Sequence, residues 1–281
     1  MLNQKVLFIS LLITVFISLI SLQSSEQPPD TNGVTLELRL PGPTEGLIAD
    51  PTVNKRFVPP RNNPSRAPQT ANININFNPA DCPNATTNWP SDAEAAYLYA
   101  ASIWEGLLVS SQTIEVDACW SVLGNGVLGS AGAARIHGNF SGAPIFNVWY
   151  PAALANSLSN SDLDSTSPDI FTQFNSNFNW YFGTDGNPSS SQYDFVSVVL
   201  HELGHGLGFA GSMLVSGGTG TYGFGSGFPF AYDTFSENGS NTPLVGGFTN
   251  GSAALAAQLT SNDIFFDGPN ASGANGNSPV D

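Results

Sequence analysis

The chain opens with an apolar run, Val6 to Leu22, broken only by Ser and Thr, with Lys5 before it and a polar stretch, Gln23 to Asp30, after it. A positive start, an apolar run and a polar exit predict a secretory signal peptide over 1–25, with Ser24 and Ser25 as a weak cleavage site. An uncleaved N-terminal anchor is the alternative. No second long apolar run follows, so the sequence predicts no further membrane span. Residues 26–70 are Pro-rich and show little periodicity. Regular patterning resumes near Ala71. Ile73, Ile75 and Phe77 alternate with Asn, as in a half-buried strand, and Pro79 and Pro83 end it. The stretch SDAEAAYLYAASIWEGLLVS predicts a helix, with Ser91 and Glu94 as a capping box and Ala96, Leu98, Ile103 and Leu107 on a broad apolar face.

A second strand is predicted with Ile114, Val116, Ala118 and Trp120 on one face. A short apolar run from Ile145 to Tyr150 ends at Pro151. Residues 157–169, rich in Ser, Asn and Asp, read as a loop. Ile170 to Phe182 then alternates, with Phe174, Phe178, Trp180 and Phe182 on one face, and closes on a TDGNP turn. In YDFVSVVLHELGHGLGF, Val196, Val199, Leu200, Leu203 and Leu207 form a helical stripe, and Asp194 suits the start of that helix. No repeat of 20 to 50 residues is present, which removes solenoids and propellers. A strand–helix–strand opening, further strands and a late helix predict an α+β domain over 71–281.

Composition narrows the partners. The formal net charge is -15, and after Arg66 the only basic residue is Arg135. That balance argues against nucleic acid, and against a membrane surface beyond an N-terminal anchor. It leaves a protein or peptide as the expected partner and says nothing of oligomeric state. Four of the five arginines and one of the two lysines lie in 26–70, including Lys55-Arg56. That segment reads as a linker or as a propeptide cut near the dibasic pair, with the linker favoured because such pairs are common. It holds no Cys that could plug a metal site. Cys82 and Cys119 are the only cysteines; in an exported chain they predict one disulfide, with two buried thiols as the alternative.

Asp162, Asp164 and Asp169 supply oxygen ligands of the kind calcium takes, but the spacing matches no EF-hand and a solvated loop is favoured. Gly217 to Gly227 lacks the Lys of a phosphate-binding loop and reads as a mobile loop beside a site. Five Asn-x-Ser/Thr sequons occur, as chance allows in so Asn-rich a chain.

The chemistry concentrates in HELGHGLGF. His201 and His205 are four apart and share one side of a helix, away from the apolar stripe. Two imidazoles so spaced bind one Zn2+, and Glu202 can then take a proton from the activated water and pass it to a leaving amine. With three His and eight Glu, a chance HExxH arises on the order of once in a thousand such chains. A surface helix with two incidental histidines, and a degenerate peptidase that binds metal without cleaving, are the competing readings.

HELGHGLGF also resembles the start of the metzincin signature HExxHxxGxxH, with Gly208 at the glycine position. Phe209 makes it similar to leishmanolysin-type peptidases, in which an insertion precedes the third His. AAYLYAASIWEGLL and the strand before the motif look like those of bacterial exported proteins with this core. The resemblance implies a zincin-like fold with a mixed sheet, an N-terminal helix and an active-site helix, and an exported, secreted zinc metallopeptidase. It implies a glycine that lets the chain leave the helix toward a third metal ligand. The sequence departs from that pattern: the short-spacing position is Gly211, no His follows His205, and Met213 is too close to form a Met-turn. A chain that stops short of its third ligand, Asp233 in FAYDTF, His137 and Glu237 all compete for the role, and Asp233 is the residue named for it. The rival from another class is a non-catalytic extracellular surface or adhesion domain, or an inactive pseudo-peptidase.

Overall fold

The computed structural model describes residues 71–86 and 88–280, together with the backbone of 34–37 and 47–48. The expected signal peptide and the dibasic pair lie outside the described residues. In chain order come β1 (Val34–Glu37), β2 (Leu47–Ile48), β3 (Ile73–Phe77), α1 (Ser91–Glu105), β4 (Ile114–Ser121) and β5 (Val127–Ala133). Next are β6 (Arg135–Gly138), β7 (Trp149–Pro151), α2 (Ala152–Ser159), β8 (Ile170–Asn175), β9 (Trp180–Tyr181), β10 (Tyr193–Asp194) and α3 (Phe195–Leu207). The last part holds β11 (Leu214–Ser216), β12 (Thr219–Thr221), a 3-10 turn (Tyr232–Phe235), β13 (Ser236–Asn238), α4 (Ala253–Leu259), β14 (Ile264–Phe266) and α5 (Pro269–Ala274). Among the described residues no helix is long and apolar enough to cross a membrane. The chain divides into two compact units, one of 71–135 with 151–207, the other of 136–150 with 208–280.

The first unit is built on a mixed five-stranded sheet in the order β2-β5-β8-β4-β3. β3, β4 and β8 run parallel, with Ile73 opposite Ile114 and Val116 opposite Ile170. β5 returns antiparallel beside β8, with Ala133 opposite Ile170, and β2 adds antiparallel to β5. Parallel neighbours need a crossover, and α1 supplies it between β3 and β4. The alternation read in the sequence seats Ile114, Val116, Ala118 and Trp120 in the core. Cys82 and Cys119 form a disulfide that ties the segment before α1 to β4. Trp89, Tyr97, Trp120, Phe174 and Phe195 meet edge to face or tilted, with centroids 5.1–6.2 Å apart, an aromatic cluster within this unit's core.

α1 departs from its expected form at both the cap and the face. Pro90, extended at φ -63° and ψ 135°, precedes the first turn, and no side-chain cap bond forms. The Pro90 carbonyl accepts instead from the Ala93 and Glu94 amides, so Ser91 and Glu94 make no capping box. The buried face is Ala93, Ala96, Tyr97, Ala100, Ala101 and Trp104, while Leu98 is 50% exposed. Small residues line this face because α1 lies directly on α3. There the Trp104 indole donates to the Leu200 carbonyl at 3.2 Å.

The second unit contains the three-stranded sheet β1-β6-β7 and the hairpins β11-β12 and β13-β14. Trp149 exchanges backbone bonds with Pro229 and Ala231, and its indole donates to Ser226 at 2.8 Å. The Gly-rich stretch expected to be a mobile loop begins as a hairpin: Ser216 pairs with Thr219 around Gly217 and Gly218, at φ +56° and +80°. Two consecutive positive φ values are what a two-residue hairpin turn demands, and glycine meets them without strain.

Candidate metal-binding helix

α3 forms where the stripe predicted it: Val196, Val199, Leu200, Leu203 and Leu207 are all buried. At its start Asp194 lies in β10, and its carboxylate accepts from the Ser197 amide at 3.1 Å and from the Ser197 hydroxyl. An acceptor three residues ahead of a first-turn amide is the geometry of an N-cap. At the other end Gly208, with φ +123°, takes the chain out of the helix in a region that side chains disfavour. The glycines within the helix have a different task. A β-carbon at Gly206 would stand 2.3 Å from Ile170 Cγ2, so this turn of α3 touches β8 through backbone.

His201 and His205 emerge on the side away from the stripe, both half-buried. Their Nε2 atoms are 3.1 Å apart and their rings lie at 87°. Two nitrogens each about 2.0–2.1 Å from one tetrahedral zinc would be about 3.3 Å apart, so the pair fits one such ion. Burial foremost, and then the neighbouring His205, pull the His201 pKa down to about 4. The imidazole is therefore neutral near pH 7, the form that ligates a metal without losing a proton. Glu202 is fully buried between them in sequence, on the face turned to β5: a β-carbon at Gly129 would stand 3.3 Å from its Cγ. Tyr97 shares this environment. Its hydroxyl is 3.1 Å from the Thr172 hydroxyl, and its pKa is raised chiefly by burial, with the Glu202 carboxylate adding to the shift. Tyr97, Gly129 and Gly206 are absent from the sequence reading, since each acts through a contact with another element.

The other candidates have their own settings. Asp233, in the 3-10 turn, is buried and accepts from the Phe230 amide at 2.8 Å, from the Ser212 amide at 3.0 and 3.1 Å, and from the Ser212 hydroxyl. Within the same unit, a β-carbon at Gly211 would meet Asp233 Oδ1 at 2.8 Å. His137 is buried in β6, and Glu237 is buried in β13, opposite Phe265. Of the three acidic residues weighed for calcium, Asp162 accepts from the Asp164 amide at 3.0 Å. Asp164 pairs with Arg135 at 2.6 Å, whereas Asp169 accepts from the Glu115 amide and from Asn156.

A family model described as SPBPB7E8-like matches residues 146–217, about a quarter of the chain, a span that includes all of α3. No curated protein and no solved structure matches the chain. These findings correct the kinship expected from HELGHGLGF. No metallopeptidase family matches, and among the described residues no group of three or more His, Cys, Asp or Glu could hold a metal ion. The metzincin, leishmanolysin-like and bacterial exported-protein resemblance is therefore not upheld. The reason is physical: the specific part of the resemblance was the nine residues His201 to Phe209, and such a stretch carries two ligands and a carboxylate without specifying the rest of a ligand set.

Proposed function

We propose that the chain is an exported zinc-dependent endopeptidase in which His201 and His205 bind the metal and Glu202 is the general base. The reading stands on donor geometry and not on kinship. Its single strongest support is the pair of imidazoles, His201 and His205, with Nε2 atoms 3.1 Å apart on the helix that carries a buried glutamate. When bound, zinc supplies Lewis acidity that polarises a carbonyl and lowers the pKa of a water toward about 7. Glu202 accepts the proton of the attacking water and delivers it to the leaving nitrogen. Glu202 is fully buried, with the Gly129 backbone of β5 close against its side chain. Asp233, whose carboxylate accepts from the Ser212 and Phe230 amides within its own unit, is not assigned to the metal. Export is supported by the N-terminal pattern and by the disulfide, which persists in oxidising compartments.

The experiment is Glu202→Gln. It should keep bound zinc and lose at least about two orders of magnitude in the rate of peptide hydrolysis. A fully active variant removes Glu202 from the role. The second reading, a non-catalytic extracellular domain, is favoured by the lack of a three-ligand group among the described residues. It predicts no zinc-dependent hydrolysis by wild type in any peptide library.

A further inference from the structure

β3 closes one end of the first unit's sheet, and among the described residues its strand neighbour is β4 alone. Its inward bonds begin where the Ile114 amide donates to the Asn72 carbonyl at 2.9 Å and end where the Asn78 amide donates to the Ala118 carbonyl at 2.8 Å. Alternate residues of a strand bond to opposite sides, so Asn74 and Asn76 turn their backbone groups to β4, while Ile73, Ile75 and Phe77 turn theirs outward. The Glu105 carboxylate takes the Ile73 amide at 2.8 Å, and among the described residues no strand takes those of Ile75 and Phe77. Exposed edges are ordinarily blunted by Lys, Pro or a bulge. The ININF of β3 carries none of these, and its register with β4 is unbroken over five residues.

The sheet face beside this edge is acidic. Asn74 and Asn76 are exposed, and their side chains donate to Glu115 at 2.6 Å and to Asp117 at 2.9 Å. Burial foremost, with Asp81 and Glu115 adding their charge, raises the Asp117 carboxyl above its ordinary value. Residues 71–280 hold a single basic residue, Arg135, and it pairs with Asp164 at 2.6 Å. We propose that the β3 edge takes up an extended peptide with basic residues at every second position, which adds a sixth strand to the sheet. Its backbone pairs with the outward groups of Ile75 and Phe77, and its alternate side chains stand on the face of Asn74 and Asn76. Neighbouring strands are about 4.8 Å apart, so a Lys or Arg stem laid across β3 brings its charge to the carboxylates of β4. A second copy of the chain suits this edge poorly, because it brings its own Glu115 and Asp117 and a net charge of -15. None of these residues belongs to the proposed metal site, so peptide uptake here does not depend on zinc.

The test adds fluorescein-labelled Lys-Thr-Lys-Val-Lys-Thr-Lys to the full chain, with binding read by fluorescence anisotropy and amide exchange by NMR. The expected result is exchange at Ile75 and Phe77 at least tenfold slower with saturating peptide, while Asn74 and Asn76 are protected throughout. Glu115→Gln/Asp117→Asn should weaken binding at least tenfold, and raised salt should weaken binding to the wild type. A fully N-methylated peptide, which lacks the donors a new strand needs, should also lose at least tenfold. Absence of binding overturns the proposal, and so does binding that leaves exchange at Ile75 and Phe77 unchanged. It is overturned equally if the N-methylated peptide, or Glu-Thr-Glu-Val-Glu-Thr-Glu, binds as well as the parent. Protection of Ile75 and Phe77 already present without peptide overturns it too; where that protection grows with chain concentration, a second copy holds the edge.

Discussion

Gly206 lies between His205 and Leu207 and packs where a side chain has no room. An alanine there would place Cβ 2.3 Å from Ile170 Cγ2 and 2.9 Å from its Cγ1 and Cδ1. Ordinary carbon–carbon contact is about 3.5 Å, so 3.5 minus 2.3 leaves about 1.2 Å to be found by moving helix or sheet. Ile170 is fully buried and has no free volume into which to retreat. Overpacking of this kind costs about 1–3 kcal/mol, while replacing a helical glycine returns up to about 1 kcal/mol. The expected net loss for Gly206→Ala is therefore about 1–2 kcal/mol, measured by urea unfolding with tryptophan fluorescence. Ile170→Ala alone should cost about 2–5 kcal/mol through its cavity. In the double variant the new methyl fills part of that cavity, so the two losses should fall short of additivity by at least about 1 kcal/mol. A Gly206→Ala variant as stable as wild type, or single losses that add within about 0.5 kcal/mol, would refute the close approach of α3 to β8.

Removing the disulfide with Cys82→Ser/Cys119→Ser opens a loop of sequence separation 37, and should lower unfolding free energy by about 3–4 kcal/mol in the same assay. Burial foremost, with Asp162 and Glu115 adding their charge, pushes the Asp169 carboxyl up from 3.8 to about 6. A folded pKa above the unfolded one means a stabilising contribution that is complete below about pH 4 and lost as pH rises through about 6. Between those limits wild type should lose up to about 3 kcal/mol relative to Asp169→Asn in urea titrations, and parallel curves would count against the burial argument.

α3 was legible in the sequence because its Val and Leu positions recur at the helical period, and the wide side of the helix is buried against both sheet and α1. β3 and β4 were legible through alternation, and the disulfide through a pair of cysteines in a chain that starts like an exported one. What stayed hidden depended on neighbours. Leu98 outweighs any alanine in a hydrophobic pattern, yet α1 presents its alanines to α3 because only small residues allow that separation. The alternation from Ile170 to Phe182 suggested one strand. It breaks after Asn175, whose side chain accepts from the Asn177 amide and donates to the Val127 carbonyl, turning the chain before β9. Ile145 and Phe146, apolar in sequence, are 41% and 44% exposed, and the strand begins only at Trp149. The two histidines and the glutamate were legible because the motif is local. Tyr97 and Gly129 were not, since their places beside Glu202 are set by the packing of α1 and β5.

Whether His201 and His205 hold one zinc ion, as proposed, is tested most directly by the zinc content of the purified full chain beside His201→Ala/His205→Ala, with circular dichroism as the folding control. About one zinc per wild-type chain and none in the folded double variant is the expected result. A well-folded wild type without zinc, or a double variant that keeps it, would rule out zinc binding by this pair.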